Sequence, residues 1–402
     1  IIVEQRETGF GASGRNGGFC NSSLTHGFIN GYRRFKDDMQ TLERMGRENF
    51  NEIEETIRKY GIDCDWQRTG ELRVAVKDWQ LDGMKEEADL RNQYGDHVEF
   101  LTQAEVQARV NSPIYKGGLW DADGTALVDP ARLVWGLEKV CLKLGVKIYE
   151  NSKVEWLERT SDGILVHTAY GSVYADKVAL ATNVFKSLIK RARKYVIPVY
   201  DFQVVTEPLT QEQWKAIGWS GKEGMSEAGN QFHYYRVTSE GAILWGGYDA
   251  IYHFRGKARQ EYETDAETYA YLAADFLETF PQLKGIKFTH GWGGAIDTCS
   301  RFSPFWGRAY RKRVAYVLGF TGLGVASTRF GAQVMLDLVD GLDTERTRLK
   351  MVRRKPLPFP PEPFRFLFIR LTQWSINYAD EHEGKRNLWL KLLDRLGLGF
   401  DS

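Results

Sequence analysis

The sequence predicts an α/β chain, α+β overall, in which a wound strand-and-helix unit is interleaved with an antiparallel sheet. Three observations predict this. Short apolar runs run straight into glycine turns and helices, as in Val314–Leu318 followed by Gly319–Gly324. The stretch from Tyr195 to Phe288 is instead rich in aromatic, β-prone segments. The chain has 402 residues, which suits two or three domains of roughly 100–200 residues each.

Each element has its own local reason. Ile1-Ile2-Val3-Glu4 reads as a buried strand ending in an acid, and a glycine-rich loop from Gly9 to Gly18 follows. Met39, Leu42, Met45, Phe50, Ile53 and Ile57 recur at helical spacing, with Gly61 where a left-handed cap belongs. Leu72–Val76 reads as a strand and residues 78–95 as a helix. Asp129-Pro130 supplies an N-cap and a first-turn proline for a helix with its stripe at Leu133, Val134, Leu137, Val140 and Leu144, ended by Gly145. Val146–Tyr149, Val154–Leu157, Ile164–Thr168 and Ser172–Tyr174 read as strands, and Lys177–Thr182 as a buried parallel one. Phe202–Thr206, Phe232–Val237 and Ala242–Trp245 form the expected antiparallel sheet. A helix over about 264–280 stops at Pro281. The strand at 314–318 leads into a helix ending at Gly341, and the segment from Pro356 to Pro363 is proline-rich. Helical, aromatic sequence follows to Ser402, with Leu367, Leu371, Trp374 and Tyr378 on one face; core packing is the expected use of that face, an oligomer contact or a membrane surface the alternatives.

Composition excludes several classes. Lys+Arg is 54 against 53 Asp+Glu, a net charge of +1, which argues against a nucleic-acid groove as the main role. No apolar run approaches the roughly 18 residues of an integral membrane segment. Cys20, Cys64, Cys141 and Cys299 are dispersed, with no C-x-x-C and no zinc spacing, so free thiols in a reducing, cytoplasmic setting are expected. His382-Glu383 continues as Gly384-Lys385, so no H-E-x-x-H exists and no metal is expected.

Two glycine clusters carry the functional signal. Gly9-x-Gly11-x-x-Gly14 matches the dinucleotide fingerprint in letters only. That fingerprint needs a strand-to-helix turn with an amphipathic helix behind it, and Asn16, Gly17, Gly18, Asn21, Ser22 and Ser23 are poor helix material. A nicotinamide dehydrogenase would rest on that match alone. The cluster Gly319–Gly324 sits between a strand and a helix, where free N–H groups and the positive helix end stabilise negative charge on a bound ring or phosphate; a ligand-free βα turn is the plainer alternative.

The set of motifs in order is more specific. Val3-Glu4 followed by Gly11-Ala12-Ser13-Gly14-Arg15-Asn16-Gly17-Gly18, Asp129-Pro130 with its helix, Val178–Thr182, and Gly319-Phe320-Thr321-Gly322-Leu323-Gly324-Val325 resemble the D-amino-acid-oxidase-like FAD-dependent family over about residues 1–345. Trp245-Gly246-Gly247-Tyr248, Trp292-Gly293-Gly294 and the tail Arg386–Asp401 resemble its gamma-glutamylputrescine-oxidase-like branch. The resemblance implies an FAD/NAD(P)-binding Rossmann-like domain from 1–70, 130–190 and 290–345, interleaved with an antiparallel-sheet substrate domain from 71–129 and 191–289, and a helical extension over 346–402. The family opens with a strand, a G-x-G-x-x-G turn and a helix, about 30 residues, ahead of the position of Ile1. The chain is therefore expected to be incomplete at its N-terminus and to hold FAD weakly or not at all.

By the same resemblance, Glu4 binds the adenosine ribose, and Ser13, Arg15, Asn16, Gly17 and Gly18 line the pyrophosphate and ring edge. Val154 meets the adenine side, and Gly322, Gly324 and Val325 meet the pyrimidine end of a non-covalent FAD. Non-covalent binding is expected because Arg15 stands where some relatives carry a flavin-linking histidine, and the sequence around Cys299 differs from that of flavin-linking relatives. The implied reaction is oxidation of a C–N bond by hydride transfer to flavin N5, then imine hydrolysis, with no dedicated catalytic residue visible in the sequence. Family members that oxidise amino acids carry a carboxylate-binding arginine where this chain has Trp292-Gly293-Gly294, so an amine or N-substituted amine is the expected substrate. Tyr234, Tyr248, Tyr252 and Trp292 either wall an amine pocket or pack the sheet. Arg301 or Arg236 either replaces the missing guanidinium or is solvated. Oxygen is the expected electron acceptor; a dehydrogenase feeding a quinone or carrier protein, and an inactive remnant of a flavoprotein, are the alternatives.

Overall fold

The computed structural model describes residues 1–398; of the tail motif and the expected 346–402 extension, 399–402 lie outside the described residues. Two small parallel pairings mark the wound unit. Ile2–Val3 pairs with Ile148–Tyr149, and Val178–Leu180 pairs with Val314–Leu318, which then pairs antiparallel with Phe305–Ala309. Strand Val314–Leu318 is buried at every position, as a strand covered on both faces must be. The helices Met39–Tyr60 and Gly324–Asp340 pack on this side through Leu42, Met45, Phe330 and Val334.

Local signals set the boundaries. The Asp129 carboxylate accepts the Arg132 N–H at 3.0 Å, with Pro130 opening the helix Pro130–Lys143. Gly61 and Gly341 end their helices in the left-handed conformation. The Gly9–Gly18 loop forms one helical turn, Ala12–Arg15, and then the strand Phe19–Asn21, so no long helix stands behind its glycines.

The second unit is an eight-stranded sheet. Its spatial order runs from Phe288–Thr298 through Ile197–Thr206, Ile243–Gly247, His233–Val237, Gly224–Glu227, Glu71–Ala75 and Gly117–Asp121 to Val98–Thr102. An antiparallel sheet was expected. The sheet is mixed, because Gly224–Glu227 lies parallel to Glu71–Ala75 and joins the hairpins of two distant segments. The strand Phe288–Thr298 also belongs here, although most of it falls in a segment expected in the other unit.

The strand period of two gives this sheet two unlike faces. Leu72, Val74, Phe202, Val204, Met225, Tyr235 and Trp245 face one way and pack against Leu272 and Phe276 of the helix Ala266–Thr279. Glu71, Arg73, Asp121, Asp201, Gln203, Ser226 and Tyr234 alternate with them and face the other unit.

The tail packs with the face opposite to the one expected inside. Ile369, Thr372, Ser375 and Ala379 of the helix Phe364–Glu381 are buried, while Leu367, Leu371, Trp374 and Tyr378 are exposed. Proline-rich residues lead this helix across the second unit, where Ile369 joins Ile197 and Tyr252. Among the described residues no helix is long and apolar enough to cross a membrane.

Candidate active site

The polar face of the sheet, the 12–17 loop and the 320–325 turn enclose one cavity of about 1210 Å³. The two glycine clusters, far apart in sequence, therefore meet at a single cleft between the units. Of the expected cofactor residues, Ser13, Arg15, Asn16, Gly17, Gly322, Gly324 and Val325 line it; Glu4, Gly18 and Val154 do not. Glu4 ends the first strand, its carboxylate accepting the Arg6 N–H at 3.0 Å, and Val154 opens the strand Val154–Arg159.

The sheet holds the loop in place through its carbonyls. Gln203 Nε2 and Trp292 Nε1 both donate to the Arg15 carbonyl, at 3.1 and 2.9 Å, and Arg236 Nε donates to the Gly17 carbonyl at 2.7 Å. The Tyr234 ring lies so close to Gly17 that a Cβ there would stand 2.5 Å from it, so only glycine permits the approach. Arg15 pairs with Glu263 at 2.5 Å and covers the Phe10 ring.

A buried carboxylate shapes the second turn. Asp297 is 1 % exposed and accepts the backbone N–H groups of Gly319 at 2.6 Å and Phe320 at 3.1 Å. Burial pushes its carboxyl up to about 7, and these N–H donors pull against that rise. Behind the turn the helix Gly324–Asp340 begins without a side-chain cap. Gly322, at φ +90°, has only Ile296 near the space a side chain would fill, and Gly324 is similarly open. A bare helix N-terminus with accessible backbone therefore faces the cavity, the donor set an electron-rich ring edge requires. Gln203 Oε1 adds a buried polar atom without a partner on the same wall. These features fit a flavin.

The expected substrate residues divide. Tyr234 and Tyr248 line the cavity. Tyr234 donates from its hydroxyl to Asp201 Oδ2 at 2.6 Å, and Tyr248 stacks on His233 with ring centroids 5.0 Å apart. Tyr252, Trp292 and Arg301 are corrected. Tyr252 is 1 % exposed and donates to Glu362 at 2.6 Å, which ties the sheet to the tail. Trp292 anchors the Arg15 carbonyl rather than walling the cavity. Arg301 is buried and donates to the carbonyls of Ser303, Pro304, Met351 and Arg354, so it is neither a carboxylate clamp nor solvated. Arg236 is likewise committed to a carbonyl.

Several cavity residues escaped the sequence reading. Asp201 presents a carboxyl that its shielded position pushes up to about 6, with the Tyr234 hydroxyl and the Phe202 N–H opposing the rise. On the wall formed by the tail stand Phe368, Ile369, Thr372, Gln373 and Ile376. His233 lies behind the wall, on the helix-facing side. Its Nδ1 is 2.8 Å from Glu227 and its Nε2 3.2 Å from Asp275; burial opposes its charge, but the two carboxylates outweigh it and raise its pKa to about 9. Cys299 is buried, its thiol donating to the Ser303 carbonyl at 3.2 Å and standing away from the cavity wall, and burial raises its pKa.

Comparison with known proteins agrees with this geometry. Residues 1–338 match the DAO family model, described as FAD dependent oxidoreductase. The chain is 30% identical over 359 residues to gamma-glutamylputrescine oxidoreductase of Escherichia coli, covering 86% of this chain and 79% of that one. It is 29% identical over 356 residues to a probable oxidoreductase, OrdL, of Haemophilus influenzae, covering 86% and 78%. Among solved structures, glycine oxidase from Geobacillus kaustophilus superposes with a TM-score of 0.72 at 17% identity, covering 88% of this chain and 91% of that one. L-proline dehydrogenase from P. horikoshii gives 0.68 at 18% identity, covering 87% and 88%.

Proposed function

The chain belongs to the DAO family of FAD-dependent oxidoreductases, which act on amines or amino acids, and on that premise we propose that it oxidises a C–N bond of an amine or N-substituted amine. The observation that carries this reading is the charge state of the cavity wall. Its arginines are already spent: Arg15 on Glu263, Arg73 on Glu87, Arg91 on Asp96 and Asp121, Arg386 on Asp394, and Arg33 is engaged as well. The Asp201 carboxyl, in contrast, faces the cavity with a neutral phenol as its partner. Such a wall favours a cationic substrate over a carboxylate.

In this reading Ser13, Arg15, Asn16 and Gly17 would hold the FAD on one side of the cavity and Gly322, Gly324 and Val325 on the other; Glu4, Gly18 and Val154, expected beside the cofactor, stand off this cavity and carry no role in it. FAD bound there would supply the acceptor for the hydride leaving the carbon next to the amine. Asp201 takes the proton that the substrate ammonium must lose before hydride can leave, since burial raises its carboxyl to about 6 and so makes it a better proton acceptor than an ordinary carboxylate. Tyr234 orients that carboxylate, and Tyr248 and the tail helix exclude water. Water then converts the released imine to a carbonyl compound and ammonia, or to a carbonyl compound and an amine where the substrate nitrogen is substituted. FAD is held non-covalently, because Cys299 is enclosed and Arg15 offers no linking nucleophile.

An amine and amino-acid panel on the FAD-loaded protein, scored anaerobically by bleaching of the flavin band, tests this. Amines bleach it; bleaching by simple α-amino acids alone overturns the proposal. In air, hydrogen peroxide formed with amine alone identifies oxygen as the acceptor, and its absence a quinone or carrier.

A further inference from the structure

The tail differs in charge from the body it packs on. Residues 346–402 hold twelve Lys or Arg against six Asp or Glu, while the whole chain balances at +1, so the remainder is acidic. The two tail helices also leave apolar side chains uncovered. On Phe364–Glu381 these are Phe364, Leu367, Leu371, Trp374 and Tyr378, at steps of three and four residues, with Leu367 62 % and Trp374 59 % exposed. On Leu388–Arg395 and its cap they are Leu388, Leu392 and Leu396, one turn apart. The helices touch through Phe368 and Trp389, with ring centroids 5.1 Å apart. Single apolar residues scattered over a surface are ordinary; two ordered stripes on adjoining helices mark an interaction site. The uncommitted charges beside the stripes are basic. Arg370, Lys391 and Arg395 are exposed, and none has a carboxylate partner among the described residues; Arg370 reaches only Gln373, at 3.5 Å, and the Phe366 ring. The nearby carboxylates are engaged, Asp380 by Asn230 and Gln231, Glu383 by Lys385 and Asp394 by Arg386, with Glu381 the exception.

We infer that the outer face of the tail is a docking surface for a bilayer rich in anionic lipid, in whose headgroup region its two helices lie. Neither helix is long and apolar enough to cross a membrane. Each instead has the pattern of a helix lying in the interface, with an apolar stripe for the acyl boundary and Lys or Arg beside it for the phosphates. Trp374 and Tyr378 add the amphipathic rings that settle at headgroup level. Charge selects lipid over a second copy of the chain. A two-fold contact sets one patch against itself, and a patch whose free charges are nearly all basic is not self-complementary. The inner side of the first helix lines the cavity through Phe368, Thr372 and Ile376, so docking brings the tail wall of the cavity against the bilayer. The inference stands independently of the amine reading.

Co-sedimentation of the purified full chain with vesicles tests this, using equal parts phosphatidylglycerol and phosphatidylcholine against phosphatidylcholine alone. The anionic vesicles should bind at least about tenfold tighter, and added salt should narrow that margin. Leu371→Gln with Trp374→Gln should weaken binding to the anionic vesicles at least about tenfold. Arg370→Gln with Lys391→Gln should cut the preference for anionic lipid by about tenfold or more. All four side chains are exposed, so an unchanged Tm is expected of both variants; should the apolar pair not fold, Leu367→Gln takes its place with the same expectation. No binding to either vesicle overturns the proposal, as does binding that both folded variants leave intact, which would place the contact elsewhere. Sedimentation equilibrium adds the remaining outcome: a dimer that dissociates in the Leu371→Gln, Trp374→Gln variant, with vesicles ignored, assigns the face to a second copy and overturns the lipid surface.

Discussion

The two faces of the eight-stranded sheet are built from the same strands, one residue apart, and they do opposite work. On the helix side Trp245 is wholly buried against Tyr235, Phe276 and Phe280, with Tyr235 stacked at 4.4 Å. On the cavity side Asp201, Gln203 and Tyr234 carry polar atoms that one another and the 15–17 loop satisfy, Gln203 Oε1 excepted. Stability is concentrated on the first face, where a buried carboxyl occurs paired with a cation, as Glu227 with His233; the second face holds Asp201 with only a neutral phenol as partner. The comparison teaches that the binding surface is the reverse side of the core, and that a one-residue slip in register would exchange them.

The comparison breaks first at Trp245. Trp245→Ala should cost about 3–5 kcal/mol, since a wholly buried indole leaves a cavity its aromatic neighbours only partly fill. Urea unfolding followed by fluorescence measures it; a loss under about 1 kcal/mol would show that this face is not where stability resides.

Much of that face was legible beforehand, and the reason is residue type. Phe202–Thr206, Phe232–Val237 and Ala242–Trp245 show β-prone aromatic character in the sequence, and the strands fall at Ile197–Thr206, His233–Val237 and Ile243–Gly247. The strands Gly117–Asp121 and Gly224–Glu227 were missed. Gly224-Met225-Ser226-Glu227 is buried at all four positions, so no polar alternation marks it. The helix Gly27–Phe35, with two glycines and no capping side chain, gave no start signal either. At the site, glycine clusters announced the two turns, because close backbone approach leaves a compositional trace. Asp201 and Asp297 left none, since only strand register brings them to one cavity. Arg301 was misread for a related reason: sequence reports its charge but not the four carbonyls that absorb it.

His233 sharpens the comparison along the pH axis. It belongs to the stabilising face, stacked on Trp245 at 4.6 Å and flanked by Glu227 and Asp275. Its folded pKa, about 9, lies above the ordinary value near 6.5. The ion pairs therefore contribute fully below about pH 6.5, and their contribution drains away as pH rises to about 9. Because Asp275 is 37 % exposed, the contribution is on the order of 2 kcal/mol after solvent screening. Thermal unfolding between pH 6 and 9.5, compared with His233→Gln, checks it: the unaltered protein should lose its advantage over the variant across that window. Parallel curves would remove His233 from the stabilising set.

Tyr234→Phe is the mildest change and the most discriminating. The phenol donates to Asp201 at 2.6 Å, and its loss should cost about 1 kcal/mol of stability or less, because the ring still packs on Gly17 and Phe19. Its functional effect should be larger. The hydroxyl holds the Asp201 carboxyl below the value that shielding alone would give, so removing it raises that pKa above about 6. Fewer Asp201 side chains are then ionised near neutrality. The acid limb of kcat/KM against pH should move to higher pH, while kcat well above that limb stays within a few-fold. An unshifted limb would mean that Asp201 does not take the substrate's proton, and the polar face would then serve to bind the amine without activating it.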